Sequence, residues 1–168
     1  MKKLLLGLFL FGIMSPVIAQ ITKPEVLKEV RLVAVNYKYL NAVTNEEVAV
    51  PVKNLEQHVA NFDIRSSEIY SDDYDTYEVS FFIPEGTILA AYDRDGQLIR
   101  TIERYKNVGL PQAVRTAVKE KYPDWKISKD AYLVNFHDEE GAEKRYKLKL
   151  ENGKKVLRIK VDEKGNFL

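Results

Sequence analysis

The feature that most constrains the fold is an internal repeat. "YEVSFFIPEGTILAAYDRDG" begins at Tyr77 and "YKLKLENGKKVLRIKVDEKG" begins at Tyr146, 69 residues later, and the same offset relates Asp93 to Asp162 and Gly96 to Gly165. Self-similarity at a fixed offset means that one supersecondary unit is used twice. In the second copy Tyr146, Leu148 and Leu150 alternate with Lys147 and Lys149, and Leu157, Ile159 and Val161 alternate with Arg158 and Lys160. A period of two gives strands with one apolar and one charged face, and Asn152-Gly153 between them supplies the positive backbone angles of a tight hairpin turn. In the first copy Tyr77, Val79, Phe81 and Ile83 form the inner row, Ile88, Ala90 and Tyr92 return, and Glu85-Gly86 is expected to make the turn. Its outer row, Glu78, Ser80, Phe82, Leu89 and Ala91, is partly apolar.

Upstream of each hairpin lies a helix signal, at an offset of 60: Val50-Pro51 matches Leu110-Pro111, and Phe62 matches Tyr122. Proline in a first helical turn sacrifices no hydrogen bond. Val52, Leu55, Val59 and Phe62 in one segment, and Val114, Ala117, Val118 and Tyr122 in the other, recur at helical spacing and give each helix one apolar stripe. Pro123 ends the second helix, and Trp125 just beyond it is expected to be a buried ring closing the gap between helix and sheet. The step from 60 to 69 places nine extra residues in the second unit, assigned to a lengthened stretch ending in "HDEEGAE" after a strand at 131–137. Each unit therefore reads helix, short strand, hairpin. The predicted fold class is α+β, two tandem helix-on-antiparallel-sheet repeats at residues 48–106 and 107–168, preceded by a β-rich segment at 20–47 that contains "VRLVAVNYKYL".

Residues 1–19, "MKKLLLGLFLFGIMSPVIA", carry two lysines, an apolar run from Leu4 to Met14 and a small-residue site at Val17-Ile18-Ala19. That is the layout of a signal peptide cleaved before Gln20, and it predicts an exported, periplasmic protein without a membrane anchor after cleavage. The chain has no cysteine, which excludes a lipobox, a disulfide framework and thiol chemistry. Without Lys2 and Lys3 the 26 basic residues become 24 against 25 acidic ones, a balance that argues against nucleic acid as a partner.

The residues offer little for catalysis. Asp93, Asp95 and Gly96 look like the middle of a calcium loop, but Ala91 and Ile102 would stand at its first and last ligand positions, so an ordinary turn is expected. Asp72, Asp73 and Asp75 in "SDDYD" have hard-cation spacing and read as a solvated loop. His58 and His137 are far apart in sequence and form no metal-ligand pair. No Gly-x-Ser-x-Gly, glycine-rich phosphate loop or Gly-Lys-Ser/Thr element is present. No catalytic residue, metal site or cofactor is predicted. What remains is surface: Lys147, Lys149, Arg158 and Lys160 on the outward row of the second hairpin, and Phe82 and Leu89 on the first, are the candidate partner-binding residues.

Three stretches, "LPQAVRTAVKEKYPDWKIS", "YKLKLENGKKVLRIKVDEKGNFL" and "ILAAYDRDGQLIR", resemble the PepSY-like proteins of the bacterial periplasm, which are related in fold to the β-lactamase inhibitory protein. The shared elements are a Leu-Pro helix start, an aromatic-Pro-x-Trp helix exit and a final Asp-x-x-Gly strand. The first copy departs from the pattern, since no Pro-x-Trp follows Phe62. The resemblance implies an exported, non-enzymatic module that binds or inhibits another protein or peptide, and it supplies no catalytic residues. The alternatives are an enzyme or metal-binding protein using the acidic loop and His137, and a structural protein of the envelope.

Overall fold

The computed structural model describes residues 34–168; the expected signal peptide and residues 20–33 lie outside the described residues. Among the described residues three α-helices, α1 (Tyr37–Val43), α2 (Val50–Asn61) and α3 (Gln112–Lys121), accompany six strands. These are β1 (Thr76–Ile83), β2 (Gly86–Asp93), β3 (Leu98–Lys106), β4 (Lys126–His137), β5 (Gly141–Asn152) and β6 (Lys155–Asp162). All six form one antiparallel sheet in the order β1-β2-β3-β4-β5-β6. The protein is thus α+β. Among the described residues no helix is long and apolar enough to cross a membrane.

Helices α2 and α3 form where the apolar stripes place them. Val52, Leu55 and Val59 of α2 and Val114 and Val118 of α3 are buried, while the opposite faces are exposed. Of the segment 20–47 expected to be β-rich, the described residues contribute the helix α1, in which Tyr39 and Val43, one helical turn apart, are both buried. Asn36, just before α1, ties it to α2: its backbone N–H donates to the Ala60 carbonyl at 2.8 Å, and its Nδ2 donates to the carbonyls of Val59 and Phe62 at 3.3 and 3.0 Å. These bonds cap the C-terminal end of α2, where the helix runs out of its own donors, and the Val59 carbonyl also accepts the Phe62 N–H at 3.2 Å.

Four local expectations are corrected. The first hairpin turns on Pro84-Glu85, with Ile83 paired to Gly86, so Gly86 is a strand residue. It is glycine because β3 passes close: a Cβ there would lie 2.3 Å from the Arg104 carbonyl oxygen. The extra residues of the second half form β4, not a lengthened loop, and "HDEEG" is a tight connection in which His137 pairs with Gly141. The third strand of the first half follows its hairpin, whereas that of the second half precedes it. Trp125 is only half-buried, edge-on to Tyr122 at a ring separation of 6.5 Å, and the space beneath α3 is filled by Val114 and Val118.

The inner face of the sheet carries an unusual set of tyrosines. Tyr105, Tyr132 and Tyr146 stand opposite one another on β3, β4 and β5, all at most 1% exposed, with ring centroids 5.9 and 4.7 Å apart in stacked geometry. Beside them lies a buried carboxyl, Glu103 on β3. It accepts hydrogen bonds from Tyr39 Oη at 2.8 Å, Thr101 Oγ1 at 2.8 Å and Tyr105 Oη at 2.7 Å. Glu56 of α2 is also 1% exposed, and its Oε1 has no partner among the described residues.

Candidate functional site

The outer face of the sheet is built by the same alternation that buries the inner one. On β5, Tyr146, Leu148 and Leu150 point to the helices, so Lys147 and Lys149 point away; on β6 the partners of those lysines are Lys160 and Arg158. Across β4 the register adds Lys129 opposite Lys149, and Ala131 between Lys147 and Lys106 of β3. Lys106, Lys129, Lys147, Lys149, Arg158 and Lys160 border one concavity of about 440 Å³. The four sequence-identified cations are thus brought together, and two more join them. Lys129 escapes a sequence reading because the register shifts between Ile127 and Lys129, which breaks the alternation that would mark it as outward-facing.

Charge in this concavity is poorly compensated. Lys149 Nζ pairs with Glu151 Oε1 at 2.5 Å, and that contact, with help from Ser128, holds the Glu151 carboxyl below its usual range. Among the described residues no ion pair reaches the other five cations. Asp130 lines the same concavity, but its Oδ2 accepts the Val108 N–H at 3.3 Å. Desolvation pushes its carboxyl above the usual range despite the opposing hydrogen bonds from Val108 and Asn107.

Phe82 and Leu89 lie on the same outer face but in a separate patch. They sit on β1 and β2, with β3 and β4 between them and the lysine row of β5. Phe82 is 69% exposed; Ile102 of β3, opposite Leu89, is 50% exposed and extends the apolar patch, while Ala91 is buried.

The acidic candidates do not converge. Among the described residues no group of three potential metal ligands comes together. Asp72, Asp73 and Asp75 are exposed, His137 Nδ1 faces Asp138 Oδ1 at 3.1 Å on an exposed turn, and His58 packs edge-on against Phe81. The two Asp-x-x-Gly turns share one geometry. Asp93 Oδ1 accepts the backbone N–H groups of Asp95 and Gln97 at 2.9 and 2.8 Å, and Asp162 Oδ1 accepts those of Lys164 and Asn166 at 2.9 and 2.8 Å. Gly96 and Gly165 follow at φ 81° and 91°, angles that favour glycine. Burial works against ionisation of Asp162, yet hydrogen bonds from the Asn166 side chain and the backbone of Asn166 and Lys164 hold its carboxyl below the usual range. These oxygens are committed to the backbone, so calcium or EDTA is expected to leave the Tm unchanged, while Asp162→Ala costs about 1 kcal/mol. A calcium-dependent rise in Tm would overturn the turn reading.

No family model and no curated protein matches the chain. Among solved structures it is similar to a BLIP-like protein from Bacteroides fragilis, at 20% identity and a TM-score of 0.34, over 56% of this chain and 66% of that one. The architecture given above rests on this chain's own helices, strands and register.

Proposed function

We propose that this protein is an exported, non-enzymatic binding or inhibitory module of the periplasm that presents its basic sheet face to an acidic protein or peptide. The observation that carries the reading is the register of like charges: Lys149 stands between Lys129 and Arg158, and Lys147 stands opposite Lys160. Like charges directly opposite one another destabilise a sheet. Lysines often guard an exposed edge, but β4 and β5 are interior strands, so edge protection does not account for Lys129, Lys147 and Lys149. An anionic partner turns that repulsion into attraction. The basic n-region, apolar run and small-residue site of residues 1–19 support export, and the repeat has the resemblance to PepSY-like proteins described above.

The test is the double reversal Lys149→Glu with Arg158→Glu, compared with wild type for capture of proteins from a periplasmic extract and for urea unfolding. Exposed charges contribute more to association than to stability, so capture of an acidic partner should be lost while the unfolding midpoint stays within ~0.5 kcal/mol of wild type. Equal capture by the reversed variant would refute the reading.

A further inference from the structure

The basic concavity ends at β6, an edge of the sheet, and the backbone of that edge is incompletely paired. The hairpin closes on Asn152 and Lys155 around the turn Gly153-Lys154, and Leu150 with Leu157 and Leu148 with Ile159 continue the alternate pairs. In an antiparallel ladder the hydrogen-bonding groups of successive residues point to opposite sides. Those of Val156, Arg158, Lys160 and Asp162 therefore point away from β5. Two of these are used by the chain itself: the Lys160 carbonyl accepts the Leu168 N–H at 3.0 Å, and the Asp162 N–H donates to the Asn166 carbonyl at 2.9 Å. Phe167 makes an antiparallel bridge to Val161, so this edge already takes an extended segment. Among the described residues the outward groups of Val156 and Arg158 have no backbone partner.

We propose that the β6 edge between Val156 and Lys160 accepts an extended acidic segment of the partner as an added strand. This rests on the reading of the basic face as a binding surface and specifies the form of what binds. Strand addition draws affinity from main-chain hydrogen bonds and specificity from alternate side chains. A residue that exchanges hydrogen bonds with Arg158 has its own side chain on the same outer face as Arg158. Acidic residues at every second position would therefore meet Arg158, Lys160 and the lysines of β5, while the residues between them point to the other face. The other edge, β1, presents Glu78, Ser80 and Phe82 on its outer face and lacks this charge complement.

A labelled eight-residue peptide alternating glutamate and threonine tests this by fluorescence anisotropy against the full chain. Wild type should bind it, and the same peptide N-methylated at its glutamates should bind at least tenfold more weakly, since its charge is kept and the bonding N–H groups are lost. Val156→Pro should weaken binding of the unmethylated peptide by a similar factor. Proline there deletes an outward N–H and no bond to β5. If Val156→Pro shifts the urea midpoint, the methylated peptide on wild-type protein decides alone. Equal binding of both peptides, or no binding of either, overturns strand addition. Equal binding that is abolished by the Lys149/Arg158 reversal would leave the charged-face reading standing without the added strand. Concentration-dependent dimers of the unliganded protein that Val156→Pro dissolves would assign the edge to a second copy and overturn the proposal.

Discussion

Raising the pH from about 4.5 to about 8 is expected to weaken this fold, because Glu56 is held neutral within it. Desolvation, followed by the neighbouring Glu103, pushes the Glu56 carboxyl up to about 8, against partial opposition from Lys144 and Lys53. Glu103 is also raised by burial, even though the hydroxyls of Tyr105, Thr101 and Tyr39 favour its ionised form. Lys144 of β5 does not neutralise the pair fully: its side chain is 8% exposed and its Nζ lies 3.6 Å from Glu163. The sign follows from linkage. A carboxyl raised in the folded state contributes stability that is fully present below its unfolded value and is lost as pH rises through its folded value. For Glu56 the window runs from the ordinary glutamate range to about pH 8, and the loss is on the order of 4 kcal/mol. Urea midpoints of wild type should fall across this window, and those of Glu56→Gln, which cannot ionise, should fall much less. A wild-type midpoint that rises, or an identical slope in the variant, would show that Glu56 is charged in the folded protein.

Tyr132→Ala should be among the most damaging single changes, costing about 3 to 5 kcal/mol as a large-to-small substitution in the core. Tyr132 is 1% exposed and lies between the rings of Tyr105 and Tyr146, so truncation opens a cavity and removes both stacking contacts. Its hydroxyl is buried without a hydrogen-bond partner among the described residues. Tyr132→Phe therefore deletes an unsatisfied polar group and keeps the ring, and should be neutral or stabilising by up to about 1 kcal/mol. Chemical denaturation of the two variants separates packing from polarity. A Phe variant as damaged as the Ala variant would mean that the hydroxyl is bonded.

Elements whose sequence pattern and burial agree were legible in advance. The β5–β6 hairpin has clean alternation and an Asn-Gly turn, and the stripes of α2 and α3 are the faces those helices bury. Strand β3 was obscured because its inward row contains Thr101 and Glu103 while Ile102 faces outward, the reverse of an ordinary polar-out alternation. The polar cluster that reverses it involves Tyr39, which lies 64 residues away from Glu103 in sequence, beyond the reach of any local pattern. Helix α1 was masked by β-branched and aromatic residues whose strand preference gives way to packing of Tyr39 and Val43. On the outer face, Lys147, Lys149, Arg158 and Lys160 could be placed by alternation alone. Lys106 and Lys129 could not, since their membership depends on the β3–β4 and β4–β5 registers.

Strand order that follows chain order has a kinetic meaning. Ile83 meets Gly86, Tyr92 meets Leu98, His137 meets Gly141 and Asn152 meets Lys155, so four of the five strand pairings close loops of only a few residues, and only β3 and β4 are separated by a helix, α3. Closure entropy grows slowly with loop length, and folding speed follows the sequence separation of the contacts. The sheet can thus zip outward from its hairpins, and the distant search is concentrated in the docking of α1, through Tyr39, onto strands made much later in the chain. The buried carboxyl of Glu103, to which Tyr39 of α1 donates, accordingly lies at the junction that closes last.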